Sequence, residues 1–144
     1  MLGDDALHAT LFEETAPTTA AAIMKPLPFE GRAVHAHLSG DMFRMFEHAP
    51  IAVEETEDRQ AYRAPGEIIC YPPIKEIAIA YGAARSRGTA GVLYPTPLGA
   101  IDTDELPRLA KSAKPSVGRC QSIQFRGSEA PAPGASQAAA SAAD

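Results

Sequence analysis

The sequence predicts a mainly β fold, a closed barrel of about eight short strands with two helices. Three observations lead there. Short segments alternate apolar and polar residues at period two, repeatedly along the chain. The 144 residues hold 13 Pro and 11 Gly, which disfavours a helical bundle. Only two stretches carry helix signals. Many short strands at close spacing favour closure, because closure removes exposed edges. Hydrophobic residues make up 45% of the chain, but 28 of them are Ala. The larger apolar side chains suffice for one core and not for two, so residues 1–127 read as one domain.

Residues 6–13 alternate, with Leu7, Ala9 and Leu11 on one side. Thr15 is a good N-cap and Pro17 is tolerated in a first turn, so a helix is expected over 18–24. Ala20, Ile23 and Met24 form its apolar stripe, and Pro26 and Pro28 stop it. In 31–38, Val34, Ala36 and Leu38 fall on one face and His35 and His37 on the other. Residues 42–47 read as the returning strand. With Gly40-Asp41 as a two-residue loop, Leu38 would pair with Phe43, His37 with Arg44, Ala36 with Met45 and His35 with Phe46. His35, His37 and Arg44 would then share one polar face. A different loop length shifts this register and scatters the group.

Residues 50–64 read as a long acidic connection, in which Glu54-Glu55-Thr56-Glu57-Asp58 is a solvated loop. Residues 67–71 form a strand, ended by Pro72-Pro73, which cannot donate ladder bonds. Residues 74–81 alternate, with Ile77, Ile79 and Tyr81 on one face. Residues 85–91 read as a loop, and 92–94 and 98–101 as short strands around Pro95 and Pro97. Asp102 or Thr103 caps a second helix, with Asp104 and Glu105 in its acidic first turn and Leu106, Leu109 and Ala110 on its apolar stripe. Residues 117–126 read as the last strand, placed to pair with the first. From Ser128 the chain turns to Ala, Pro, Gly and Ser with no large apolar residue. Residues 128–144 are therefore expected to be a disordered tail whose removal leaves stability unchanged.

Charge and cysteine content exclude several classes. Net charge is −5, without the basic footprint of a nucleic-acid binder. Two cysteines are too few for a disulfide scaffold. Cys70 and Cys120 both read as small buried apolar residues within strands. No apolar run approaches a membrane span, and the acidic start lacks the basic residues of a signal peptide. The expectation is a cytoplasmic protein with neither nucleic acid nor membrane as partner.

One set of segments, taken in order, carries a resemblance: Thr-Ala-Pro-Thr-Thr (15–19), Leu-Pro-Phe-Glu-Gly (27–31), His-Ala-His-Leu-Ser-Gly (35–40), Pro-Gly-Glu-Ile-Ile-Cys-Tyr (65–71) and Ile-Ala-Ile-Ala-Tyr-Gly (77–82). Together they resemble the bacterial cyclophilin-like proteins of the DUF3830 family, over roughly residues 7–126. The resemblance implies a cyclophilin-like eight-stranded barrel with a helix capping each open end. It implies no activity. Prolyl isomerase activity is not expected. Cyclophilins use an Arg on a Phe-His-Arg strand and a Phe-Met-X-Gln-Gly-Gly-Asp segment, and this chain has neither.

The sharpest chemical feature is His35-Ala36-His37. On a strand the two imidazoles project to one face, about 6.5–7 Å apart at the backbone. Such a pair can be hydrogen-bonded rim residues, an acid and a base, or two metal ligands awaiting a third from His8, His48, Glu47 or the 54–58 acids. Arg44 beside them would repel a cation and favour a carboxylate, so no metal and no cofactor is assigned. Tyr71 and Tyr81 end two neighbouring strands and could offer hydroxyl donors at a pocket mouth. Arg85-Ser86-Arg87-Gly88 is either a solvated loop or an anion clamp. Together these residues predict a protein that binds a small carboxylate or amide, as a catabolic enzyme or enzyme subunit, with His35 and His37 catalytic and Arg44, Tyr71 and Tyr81 binding substrate. The alternative is a non-catalytic assembly module. A second copy of the chain or an enzyme partner subunit fits either reading.

Overall fold

The computed structural model describes residues 1–116 and 118–127. The expected tail at 128–144 and Val117 lie outside them. Among the described residues ten strands and two α-helices follow in the order β1 (Ala9–Leu11), α1 (Pro17–Met24), β2 (Phe29–His35), β3 (Gly40–Met45), β4 (Tyr62–Arg63), β5 (Glu67–Tyr71), β6 (Glu76–Arg85), β7 (Arg87–Gly88), β8 (Gly91–Val92), β9 (Thr96–Ile101), α2 (Leu106–Ala113) and β10 (Gln121–Phe125). The main sheet runs β1-β9-β5-β6-β3-β2-β10, all antiparallel, with β4 also pairing on β6.

This is a curled half-barrel, not the closed eight-stranded barrel expected. The first and last strands do not pair. β1 has three residues and β10 begins only at Gln121, too little for a ladder between them. The N-terminal residues instead seal against β10. Met1 and Gln124 exchange backbone bonds of 2.8 Å, Gly3 N–H donates to Ser122 O at 2.9 Å, and Leu2 is buried.

The core lies on the concave face. Phe43, Met45, Ile68, Ile77, Ile79 and Phe125 fill it from the sheet. Ile23 of α1 and Leu109 and Ala113 of α2 complete it. Met24 is exposed, so the α1 stripe is Thr19, Ala20 and Ile23. Ile51 and Val53 of the acidic connection are buried in the same core. That connection is therefore a strap packed at Ile51 and Val53, while Glu54, Glu55 and Asp58 of the acidic block are exposed as expected. No side chain of α1's own N-cap bonds its first turn. Glu57 does so from the strap, accepting from Thr18 N–H at 3.3 Å, Thr19 N–H at 2.7 Å and Thr19 Oγ1–H at 2.7 Å. A carboxylate at a helix N-terminus meets both the orphan donors and the positive end of the dipole.

Four other expectations change. β6 runs on to Arg85, and a small β7–β8 hairpin replaces the loop expected at 85–91. The α2 stripe is Leu109, Ser112 and Ala113, preceded by a 3-10 turn over Thr103–Glu105. Cys70 is buried, and burial pushes its thiol up to about 12. Cys120 is exposed, because it precedes β10 instead of lying in it.

The β2–β3 register is the difference that matters for function. The structure pairs Ala33 with Met45, Val34 with Arg44 and His35 with Phe43. β2 stops at His35, and the turn runs through 36–39. Ala36 N–H donates to Met42 O at 2.9 Å and Ser39 N–H to Ala36 O at 3.0 Å. Gly40 closes it at φ +91°, where a Cβ would also meet Ala83 O at 2.8 Å. The longer turn shifts the register by an odd number of residues, which exchanges the two faces. Leu38, expected in the core, is 54% exposed in the turn.

Candidate functional site

Directly opposed residues on antiparallel strands share a face. His35 is opposite Phe43, and Phe43 is opposite Ile79, both buried in the concave core. His35 therefore projects to the core side, at its rim. Tyr81 lies two residues beyond Ile79 on β6 and packs against the same core. The two meet, His35 Nε2 to Tyr81 Oη at 2.7 Å. Tyr81 stacks on Phe43 with ring centroids 6.5 Å apart. His37 follows in the turn, exposed, its ring 5.7 Å from that of His35. Asp41 sits where the β3–β6 register slips, and the missing Cβ of Gly82 leaves room for its carboxylate.

Electrostatics tune this pair. Burial, then His37, pull the His35 imidazole below its ordinary value, against a smaller upward pull from Asp41. Burial, then Asp41, push the Tyr81 phenol above its ordinary value. Both groups are thus neutral near pH 7, joined by one hydrogen bond whose direction follows the imidazole tautomer. A neutral imidazole bonded to a phenol can take up a proton at one group and release one at the other.

The five residues singled out in the sequence do not converge. Arg44 lies opposite Val34 and Ala78, on the convex face. Its Nε is 4.0 Å from Glu76 Oε2 and its guanidinium is 5.9 Å from the Phe46 ring, which Arg32 also covers at 4.6 Å. Tyr71 lies opposite Glu76, with Arg44's face. Five residues along β6 separate Glu76 from Tyr81, roughly 17 Å. So His35, His37 and Tyr81 form one group, and Arg44 and Tyr71 belong to another. Burial pushes the Glu76 carboxyl up, with Arg44 drawing it down less strongly. Among the described residues no three His, Cys, Asp or Glu side chains stand together in a metal-holding group. His8 is spent on Glu105, its Nδ1 at 3.1 Å from Oε2.

Sequence reasoning missed Asp41, which reads as a turn residue, and the frame behind the turn. Ser39 is buried; its Oγ accepts from Arg87 N–H at 3.2 Å and its carbonyl accepts from Arg85 N–H at 2.9 Å. A cleft of about 410 Å³ opens beside it, lined by Leu38, Ser39, Gly40, Ala83, Ala84, Arg85 and Arg87. Behind it Arg63 is buried, with its guanidinium 3.4 Å from Ser86 Oγ, Glu67 Oε2 and Pro95 O.

This half-barrel with a rim imidazole belongs to a class defined by fold and not by activity. The chain is a member of the DUF3830 family, described as proteins of unknown function, whose model matches residues 3–132. Among solved structures it is similar to McbB in complex with tryptophan, at 17% identity and TM-score 0.69, covering 87% of this chain. The chain spans 42% of the McbB chain. A solution structure of a hypothetical protein from Archaeoglobus fulgidus aligns at 23% identity and TM-score 0.47, covering 69% of this chain and 82% of that one. No curated protein matches. No helix among the described residues is long and apolar enough to cross a membrane.

Proposed function

We propose that this protein binds a small molecule bearing a carboxylate or amide at the rim between the β2–β3 turn and β6, and that His35 and Tyr81 move a proton on it. The carrying observation is the 2.7 Å contact between two groups that are both neutral near pH 7. Acid–base efficiency is greatest for a group that can change protonation near the working pH, and imidazole is the side chain that does so. Burial, and after it His37, raise the cost of charging His35, which keeps the base free of its proton near pH 7. The role earlier given to Arg44 passes to other groups, since Arg44 faces Glu76 on the convex side. Tyr71 leaves the site with it. The fold shared with McbB, solved with an amino acid bound, supports a small-molecule ligand over a protein one.

The test is a thermal-shift screen of the full chain against small carboxylates, amides and nucleotides, repeated with His35→Gln and Tyr81→Phe. A ligand at 100 times its dissociation constant adds about 2.7 kcal/mol. The expected result is a shift with carboxylates or amides that shrinks in both variants. Stabilisation by neither class, or an equal shift in wild type and both variants, would refute the assignment and move the weight to a protein partner.

A further inference from the structure

We infer that the ligand class of this rim is a dicarboxylate, held across two adjoining clefts that share Arg85. The inference deepens the small-molecule reading above and rests on it. The first cleft, about 410 Å³, carries Arg85 and Arg87. The second, about 350 Å³, is lined by Arg59, Gln60, Ala61, Arg85, Val92 and Tyr94. Each volume lies in the range of small-molecule sites.

The backbone explains why the arginines gather there. Along an extended chain, neighbouring side chains alternate in direction. Ser86 is 3% exposed, with Arg63 Nε 3.4 Å from its Oγ and its N–H donating to Ala61 O at 2.8 Å. Turning Ser86 inward turns Arg85 and Arg87 outward together. The two Ser39 contacts fix the main chain at both arginines, so the guanidinium stems start from a rigid base. The strap brings Arg59 to the other side, where Gln60 N–H donates to Pro95 O at 3.2 Å.

A protein of net charge −5 thus places three of its 13 cationic side chains around one pair of clefts. Guanidinium forks match carboxylates in a planar, two-bond geometry. Two clefts, each with two arginines and one arginine in common, fit a carboxylate at each end of a short molecule. Val92 and Tyr94 give the second cleft an apolar wall for the carbon chain between them. The β6 residues lining the first cleft begin two positions beyond Tyr81, and its turn residues begin directly after His37. Measured from Arg85, a molecule anchored there lies four residues along β6 from Tyr81, roughly 13 Å.

The test is calorimetric titration of the full chain with succinate, glutarate and adipate, against butyrate and inorganic phosphate. At least one dicarboxylate should bind about tenfold or more tightly than butyrate. Arg59→Gln and Arg87→Gln should each bring that ligand to the butyrate level, and Arg85→Gln should abolish binding. All three positions are exposed, and a cooperative melting curve for each variant checks that it keeps the fold. No binding of any dicarboxylate, affinity equal to butyrate or phosphate, or unchanged binding in Arg59→Gln and Arg87→Gln would each overturn the inference. The His35 C2–H resonance, followed in the same titration, separates the two readings. If it moves with butyrate while no dicarboxylate binds, the proton-transfer site stands and the dicarboxylate falls. If a dicarboxylate binds through the arginines and the resonance is still, the clefts stand and the proton-transfer reading falls.

Discussion

β6 carries two polar clusters that face opposite ways, and they are built on opposite principles. At its middle, on the concave side, His35 and Tyr81 are neutral partners sharing one short hydrogen bond. At its near end, on the convex side, Arg44 and Glu76 are an ion pair at 4.0 Å, beside an exposed Phe46 with Arg32 over its ring. The first carries no charge near pH 7, and its imidazole takes a proton only below its ordinary 6.5. The second sets a permanent positive charge against a carboxylate, and its partners occupy each other. The difference is the reason we propose proton transfer at the rim and read the convex cluster as surface structure.

The largest way to break the rim alone is to remove its backing. Arg63→Met should cost about 2–4 kcal/mol, because it deprives Ser86 Oγ, Pro95 O and Glu67 of a buried donor at once. Chemical denaturation would measure it, and amide exchange should rise at Ser39 and Arg85–Arg87 but not around Glu76. Glu57→Ala should cost about 1–2 kcal/mol by uncapping α1 and leaving the buried Thr19 hydroxyl without its acceptor. Burial raises the Glu57 carboxyl, but the bonds from Thr19 and Thr18 outweigh it and hold it below its ordinary 4.5. This contribution is present above 4.5 and is lost as pH falls through the lower folded value, so the variant's deficit should vanish in acid.

Tyr81→Phe should cost about 1 kcal/mol in stability by equilibrium unfolding, one hydrogen bond, and remove ligand response. His35 supplies a smaller, pH-dependent effect. Its imidazole is held below 6.5, so the unfolded chain takes the proton more readily. Stability from neutral His35 is present above 6.5 and is lost as pH falls through the folded value. Melting curves between pH 5 and 7.5 should show this slope in wild type and a flatter one in His35→Gln. Smallest of all, Arg44→Gln should change stability by less than about 1 kcal/mol and leave ligand affinity untouched. A large loss of binding there would erase the distinction between the two clusters.

The β5–β6 hairpin was legible in the sequence because residues 74–81 alternate and Pro72-Pro73 marks the join. Ile77, Ile79 and Tyr81 share the core side as expected. The β2–β3 hairpin was not legible in register. Gly40-Asp41 resembles a two-residue loop, but the chain turns earlier, over 36–39, and Gly40 already belongs to β3. Once the turn lengthened, His35 moved to the core side and Arg44 to the other. His35 and Tyr81 were each identifiable by type, while their contact depends on a register that local sequence does not specify. Closure failed for a related reason. Period two reveals that strands exist, not whether the two end strands are long enough to pair. Glu57 shows the same limit, since nothing near it in sequence indicates the helix it caps.

The most direct test of the central claim is an NMR titration of the His35 imidazole in the full chain, with and without the carboxylate or amide that stabilises it best. The account predicts a titration midpoint below the ordinary 6.5, altered by Tyr81→Phe and displaced again when ligand binds. A midpoint at the ordinary value, indifferent to both Tyr81→Phe and ligand, would contradict it.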